Sequence, residues 1–328
     1  MNLLGERIIV KDLVMDEVDL RLIAALQCDG RASTERIARV LGLNARVVRR
    51  RLRALLGDGV VRVVAAPPPE RVPAAMSLRV KVLRGRLDAV AAGLAAREDI
   101  PFVDVSAAGD EILAVLVGGA QPGDHLVFRR LPATTAVTSV EASTILHVFA
   151  AATDWRLDVL TEAERRVLEP GSRFVDRELD KIDNAVLAAL GEDARLPAST
   201  IAARVGEPES TVRRRLLTLR AERQFVTEAF VEPRRLGLSV DANLLVQVPP
   251  GRLDQAGRAL ARHPAVHGAF AVTGSYNLHV AVWMRDLEEL YRFVTADLAG
   301  LGATAAETVL VGRAVKRPGK PGLLPAAR

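Results

Sequence analysis

The pentapeptide Val48-Arg49-Arg50-Arg51-Leu52 returns later in the chain as Val212-Arg213-Arg214-Arg215-Leu216. Each copy sits in the same apolar frame: Val48, Leu52 and Leu55 in the first, Val212, Leu216 and Leu219 in the second. Spacings of i, i+4 and i+7 line one face of an α-helix, so that face is predicted to be buried and the arginines to point largely away from it. In the first copy Arg46, Arg49, Arg50 and Arg53 form a stripe of helical period, suited to lie against a polyanion. One such stripe alone is as well explained as the solvated face of an ordinary surface helix. The recurrence tips the balance, because it belongs to a longer repeat.

Asp19 and Asp183 are separated by 164 positions (183 − 19). The same offset, with no gap, relates Ile23 to Leu187, Leu26 to Leu190, Asp29 to Asp193, Arg31 to Arg195, Ile37 to Ile201, Ala38 to Ala202 and Gly42 to Gly206. A period this long excludes a solenoid and identifies a duplicated module of ordinary domain size. The length of 328 residues leaves room for two to four small domains. With 49% of residues apolar and 4% aromatic, the cores are expected to be aliphatic. A net charge of +5 supports nucleic-acid binding without requiring it. The single cysteine, Cys28, excludes an intrachain disulfide framework, and its apolar helical setting marks a small buried residue. No leader-like segment or membrane-length apolar run is present, so a soluble cytoplasmic protein without a membrane partner is expected.

An acidic start at Asp16 precedes Val18, Leu22, Ile23 and Leu26, and predicts a helix of about three turns ended by Asp29-Gly30. Ser33 or Thr34 is the expected cap of a second helix, with Ile37, Ala38 and Leu41 inward and Gly42 as its break. Asn44 caps the arginine helix; Gly57-Asp58-Gly59 then turns into the strand-like run Val60-Val61-Arg62-Val63-Val64, and Pro67-Pro68-Pro69 stiffens the exit. Three short helices followed by a β element make a winged helix-turn-helix, here over 16–68 and again over 180–232. In the second copy Thr200 is the expected cap of the second helix, and Pro208-Glu209-Ser210 opens the third.

The stretches 74–150 and 238–315 each read as β-α-β-β-α-β, the ferredoxin-like order. Leu78-Arg79-Val80-Lys81-Val82 alternates as a half-buried strand, and Leu287 to Leu298 is amphipathic with helical period. Between the halves, 151–179 is a charged connector carrying a capping-box pattern, Thr161-Glu162-Ala163-Glu164. The basic stretch 316–328 is expected to be a disordered tail. The predicted class is α+β, with two winged helix-turn-helix domains alternating with two ferredoxin-like βαββαβ domains.

The run Asp19-x-x-Leu22-Ile23-x-x-Leu26, Ile37-Ala38, Gly42-Leu43-Asn44, Val48-Arg49-Arg50-Arg51-Leu52-x-x-Leu55 and Gly59-Val60-Val61 resembles the DNA-binding domain of the Lrp/AsnC transcription regulators. The βαββαβ stretch after it resembles their effector-binding and dimerisation domain, so the chain looks like two tandem units over about 16–315. The resemblance implies double-stranded DNA and a small-molecule effector, such as an amino acid, as partners. It also implies an intrachain pseudo-dimer of the two ferredoxin-like sheets, open to further homo-oligomerisation. The implied DNA-binding residues are Asn44, Arg46, Arg49, Arg50 and Arg53 in the first copy and Ser210, Thr211, Arg213 and Arg214 in the second. The implied effector residues lie in the turns between central strands, Gly109-Asp110 and Gly274-Ser275-Tyr276-Asn277. Such turns offer backbone N–H groups to a carboxylate, though an ordinary hairpin turn explains them equally well. The family's acid and aromatic are divided here, the acid in the first turn and the aromatic in the second. The copies differ elsewhere too: Glu209 opens the second arginine helix, Leu217 stands where the first has Arg53, and Arg223 where it has Gly59, so the first helix is expected to supply more affinity.

Catalytic, cofactor and metal patterns are not expected. No Gly-rich phosphate loop follows a strand, and Pro264 between His263 and His267 breaks a helical metal pair, leaving both as surface or turn residues. Two alternatives remain. One is an enzyme on the same scaffold: sirohaem decarboxylases also resemble Lrp/AsnC proteins, and Tyr276-Asn277-Leu278 invites the comparison, but without the expected flanking histidines or arginines and with both arginine triplets unexplained. The other is a metabolite binder independent of DNA.

Overall fold

The computed structural model describes residues 8–10, 13–72, 74–118 and 126–317. In chain order these form β1 (Ile8–Val10), β2 (Leu13–Met15), α1 (Glu17–Cys28), α2 (Thr34–Leu41), α3 (Ala45–Gly57), β3 (Val61–Ala66), β4 (Ala75–Val82), α4 (Leu87–Ala95), β5 (Phe102–Ser106), β6 (Glu111–Val117), α5 (Leu131–Ala133) and β7 (Val137–Ala150). There follow α6 (Glu162–Leu168), α7 (Lys181–Glu192), α8 (Ala198–Val205), α9 (Glu209–Ala221), β8 (Val226–Val231), β9 (Val240–Gln247), α10 (Leu253–Leu260), β10 (Val266–Val272), β11 (Leu278–Met284), α11 (Leu287–Arg292) and β12 (Ala305–Lys316). They divide into two compact units, each drawn from both halves of the sequence: 1–72 with 156–236, and 73–155 with 237–328.

The first unit holds both three-helix modules. Asp16 and Asp180 cap α1 and α7, accepting from the backbone N–H groups of Asp19 and Asp183. Ser33 caps α2, and Gly42, at φ 65°, ends it in the left-handed region where glycine carries no Cβ penalty. Thr200 is not a cap: α8 begins at Ala198 behind Pro197, whose fixed φ starts the helix early and leaves Thr200 inside the first turn. In the connector, Thr161 and Glu164 close the capping box of α6, and fully buried Leu168 anchors it. Arg21 Nη2 reaches Glu164 at 2.5 Å and Arg36 Nη2 donates to the Val167 carbonyl at 2.6 Å, fastening α6 to the first module.

The strand expected as a wing does not fold back on its own module. β3 instead pairs antiparallel with β8, from Val61 opposite Val231 to Ala66 opposite Val226. Val64 lies opposite Glu228, and 228 − 64 is 164, the offset of the sequence repeat. The ladder is therefore centred on a pseudo-two-fold axis relating the modules.

The second unit is a closed eight-stranded barrel of order β10-β11-β9-β12-β5-β6-β4-β7. Each ferredoxin-like sheet supplies four strands, and the seams are β7 with β10 and β12 with β5, so the two sheets pair within the chain. Alternation sends Met76, Leu78, Val80 and Val82 of β4, and Leu278, Val280, Val282 and Met284 of β11, into two aliphatic cores on the outer faces. Ser77 and Arg79 of β4, Asn243 of β9 and His279 of β11 consequently fall on the inner face. Phe149 of β7 packs on α10, where a Cβ at Gly257 would overlap its ring. The amphipathic run 287–298 is helical throughout, α11 widening into π-helical turns at Phe293–Leu298.

Two expectations are corrected here. The tail does not begin at 316: β12 includes Lys316, Arg317 is buried, and of that stretch only 318–328 lie outside the described residues. His267 is not a surface or turn residue either; it is buried on β10 and stacked on Trp283 with ring centroids 3.8 Å apart. The pairing of β10 with β11 shifts register between Val266 and Gly268, so simple alternation does not predict where His267 points.

Candidate nucleic-acid interface and effector turns

Both arginine helices present their triplets in the same way. Val48, Leu52 and Leu55 of α3 are buried, while Arg46, Arg49, Arg50 and Arg53 are exposed. Asn44 caps α3, its Oδ1 accepting from Arg46 N at 2.8 Å, so this side chain also has a structural duty. The third arginine of each triplet turns back to the scaffold. Arg51 Nη1 binds Asp16 at 2.8 Å and Asp19 at 2.9 Å, and Arg215 binds Asp180 at 2.7 Å and Asp183 at 3.3 Å. These bridges tie each arginine helix to the start of the first helix of its own module.

The remaining arginines are not equivalent. Arg49 pairs with Glu35 at 2.7 Å, and Arg213 with Glu209 at 2.5 Å. Glu35's own backbone N–H, and then Arg49, hold its carboxyl below the ordinary range. Arg46, Arg50 and Arg53 in the first copy, and Arg214 in the second, have no ion-pair partner among the described residues. In α9, Ser210 and Arg214 are exposed, Thr211 is half-buried, and Leu217 is 67% exposed. Arg223 is the one non-glycine with positive φ among the described residues, at 48°, in the place of Gly59 at 65°.

What orients the two helices is a reciprocal clamp. Arg31 donates to the carbonyls of Ala194 and Leu196, and Arg195 to those of Gly30 and Ala32. Every residue here maps onto its counterpart by 164. Two backbone N–H groups follow the same dyad, Ala194 N donating to the Val63 carbonyl at 2.7 Å and Gly30 N to the Thr227 side-chain Oγ1 at 2.9 Å. A Cβ at Gly30 would overlap Val63, so the close approach needs glycine. Burial lowers the pKa of both guanidiniums, which nevertheless keep their charge.

The two candidate effector turns each sit against the last strand of the other half. In the first, Gly109 has φ 75°, and Ser106 Oγ donates to Asp110 Oδ1 and accepts from Glu111 N, both at 3.2 Å. Ala107 N reaches Leu310 O of β12 at 2.7 Å. In the second, Gly274 has φ 115°, Thr273 N donates to Thr144 O of β7 at 3.0 Å, and Ser275 is exposed. Asn277 is occupied by the Val248 backbone, accepting its N–H at 3.0 Å and donating to its carbonyl at 2.8 Å. Arg79 holds the Glu307 carboxyl below the ordinary range, with a smaller lowering contribution from the Tyr276 side chain.

Arg79 is the hub of that inner surface, reaching Glu111 at 2.5 Å, Glu307 at 2.7 Å and Glu141 at 3.6 Å. Beside it, His279 places Nδ1 3.2 Å from Ser77 Oγ and Nε2 2.9 Å from Asn243 Oδ1. Burial pushes its pKa down to about 4, so the ring is neutral and donates through Nε2 while accepting from Ser77. The expectation that no histidine or arginine flanks Tyr276-Asn277-Leu278 is thus corrected by His279 and Arg79. The second inner cluster joins Arg317 to Asp104 at 2.9 Å and to Asp241 at 2.7 Å, under Trp283. Sequence reasoning missed both clusters, although the alternation in β4 already put Arg79 opposite the apolar core. Among the described residues no three His, Cys, Asp or Glu side chains are grouped to hold a metal ion, and no helix is long and apolar enough to cross a membrane.

Comparison with known proteins agrees with this construction. Residues 15–56 and 179–220 match the AsnC-type helix-turn-helix domain, and 241–321 match the Lrp/AsnC ligand binding domain. The chain is 37% identical over 146 residues to the HTH-type transcriptional regulator PH0140 of Pyrococcus horikoshii, covering 43% of this chain and 90% of that protein. It is 31% identical over 138 residues to HTH-type transcriptional regulator FL11 of the same organism, covering 40% of this chain and 89% of the relative. The fold is similar over nearly its whole length to the siroheme decarboxylase NirDL in co-complex with an iron-uroporphyrin III analogue. That similarity has a TM-score of 0.60 at 16% identity and covers 92% of this chain and 93% of the other.

Proposed function

The chain belongs to the Lrp/AsnC family, and from that premise we propose that it is a sequence-specific DNA-binding transcription regulator in which one polypeptide carries both readers of an imperfect inverted repeat. The observation that carries this reading is the dyad at Val64 and Glu228, about which two exposed arginine helices are held by a β ladder and a reciprocal arginine clamp. Two recognition helices related by such a dyad suit two half-sites in opposite orientation. Arg46, Arg49, Arg50 and Arg53, and Ser210, Thr211, Arg213 and Arg214, are the contact residues, with Asn44 at the helix start. The first helix supplies more affinity, since three of its cations lack an acidic partner against one in the second.

The barrel is the sensing part, taking a small metabolite such as an amino acid at Gly109-Asp110 and Gly274-Ser275-Tyr276-Asn277. In this role Asn277 shapes the turn through Val248, while Asp110 and Tyr276 face the ligand. Binding to the folded state alone stabilises by mass action, so an effector raises Tm and Asp110→Ala or Tyr276→Phe reduces that rise.

The direct test is selection of duplexes from a random library by the full chain, followed by a salt series with Arg50→Ala and Arg214→Ala. Removing an arginine that reads a guanine edge costs about 1–3 kcal/mol and relaxes one base position; removing one that touches only phosphate flattens the salt slope by about 0.9. Arg50→Ala should weaken binding more than Arg214→Ala. No enrichment of any duplex, or full affinity in both variants, sinks the assignment.

A second reading, an enzyme on the same scaffold, draws on Tyr276, Arg79 and His279 lying together in a barrel of the fold that NirDL shares. Both His279 nitrogens are spent on Ser77 and Asn243, which weighs against it as a proton carrier. A tetrapyrrole absorbance change on mixing with the full chain would favour this reading over the first.

A further inference from the structure

Leu217 stands out on the second arginine helix. Its companions Val212 and Leu219 are fully buried and Leu216 is half-buried, yet Leu217 is 67% exposed. It occupies the position of Arg53 in the first copy (217 − 53 = 164). A single exposed leucine on an ordinary surface needs no explanation. This one shares the outward stripe of Ser210, Arg213 and Arg214, on the helix that the dyad pairs with α3. Glu209 already engages Arg213, which leaves Arg214 as the one cation of that stripe without an acidic partner among the described residues. The second face is therefore poorer in charge and carries an apolar group where the first carries a guanidinium.

The major groove offers one apolar feature to such a group, the C5 methyl of thymine. From Ser210 to Leu217 is seven residues, about 10.5 Å along the helix axis, or about three base pairs at roughly 3.4 Å each. Both ends of the stripe therefore fit the same groove. Resting on the DNA-binding reading above, we propose that Leu217 reads a thymine methyl, so that the second half-site requires a T·A pair where the first is met by Arg53. The two half-sites then differ in kind as well as in strength, and the chain binds its inverted repeat in one orientation.

The test begins with the duplex selected by the full chain. Each thymine of the site is replaced singly by uracil, which removes the methyl and leaves the hydrogen-bonding edge. Dissociation constants are measured for the wild type and for Leu217→Ala, which truncates a largely exposed side chain. One uracil should weaken wild-type binding by about fourfold, the worth of burying one methyl group, and that same uracil should cost Leu217→Ala nothing. Leu217→Arg should abolish the thymine preference at that position and steepen the salt dependence. If no uracil matters, or if the uracil penalty persists in Leu217→Ala, the inference is overturned while DNA binding stands. If no duplex is selected at all, it is the DNA-binding reading that has failed.

Discussion

Arg317 closes the barrel at one seam, and removing it should be among the most damaging single changes in the chain. Its side chain is 5% exposed, and it donates to Asp104 Oδ1 at 3.2 Å, Asp104 Oδ2 at 2.9 Å and Asp241 Oδ2 at 2.7 Å. Asp104 lies on β5 of one half and Asp241 on β9 of the other, so the guanidinium neutralises carboxylates from both sheets. Arg317→Ala leaves two buried carboxylates facing one another without a cation, and breaking a buried pair in this way costs about 3–5 kcal/mol. Part of that cost is recoverable by protonation. Burial already pushes Asp241 up to about 6, and removing the cation that holds it down raises it further. The native variant then binds a proton that the unfolded chain, with an ordinary Asp pKa near 3.8, has released, so its stability falls as pH rises above about 4. The deficit against wild type should therefore be larger at pH 8 than at pH 5. Urea denaturation followed by tryptophan emission is suited to this measurement. The chain has two tryptophans, and Trp155 and Trp283 are in edge contact at 4.9 Å beside the cluster. A deficit under about 1 kcal/mol, or one that does not change between the two pH values, would refute the reasoning. Adding Asp104→Asn and Asp241→Asn to Arg317→Met should restore most of the stability.

Three further outcomes are expected. Arg51→Ala should lower Tm by breaking the bridges to Asp16 and Asp19 while leaving the salt slope of DNA binding unchanged, unlike Arg50→Ala; equal effects on the slope would place Arg51 on the DNA. Arg31→Ala strips the Ala194 and Leu196 carbonyls of charged donors and should cost about 2–3 kcal/mol, with a broadened tolerance for half-site spacing in a duplex series; unchanged spacing preference would confine the clamp to stability. Burial lowers the His279 pKa to about 4 from 6.5, so its contribution is present above pH 6.5 and is lost as pH falls toward 4; His279→Gln should remove that part of the acid slope in denaturant titrations, and identical slopes would contradict it.

The helix-turn-helix modules are legible in the sequence because their determinants are local: caps at Asp16, Ser33 and Asn44, the αL glycine at 42, and apolar residues at helical spacing. The gapless 164 offset also announces two equivalent modules, and the ferredoxin-like order follows from short alternating runs. The interactions that close the structure are not legible. Nothing near Val60 to Val64 says that its partner strand is β8, since hydrogen-bond pairing between distant strands leaves no trace in either one. The role of Arg51 depends on where two aspartates at the start of another helix lie in space. Pro318 and Gly319 make the chain end look like a tail, although two inward-facing acids on strands, Asp104 and Asp241, require a cation that Arg317 supplies. At Thr200 a generic capping preference points the wrong way, because Pro197 sets the start of α8 ahead of it.

The dyad at Val64 and Glu228 joins halves that are also joined by a continuous backbone. Two identical chains that meet through such a dyad come apart on dilution, and each must accept every change made to the other. Here the effective concentration of one half at the other is fixed by the connector and is independent of how much protein is present. Pairing of the two helix-turn-helix modules is therefore complete at any dose. Each copy is also free to drift from its twin without creating a mismatched pairing, as Leu217 has drifted from Arg53 and Arg223 from Gly59.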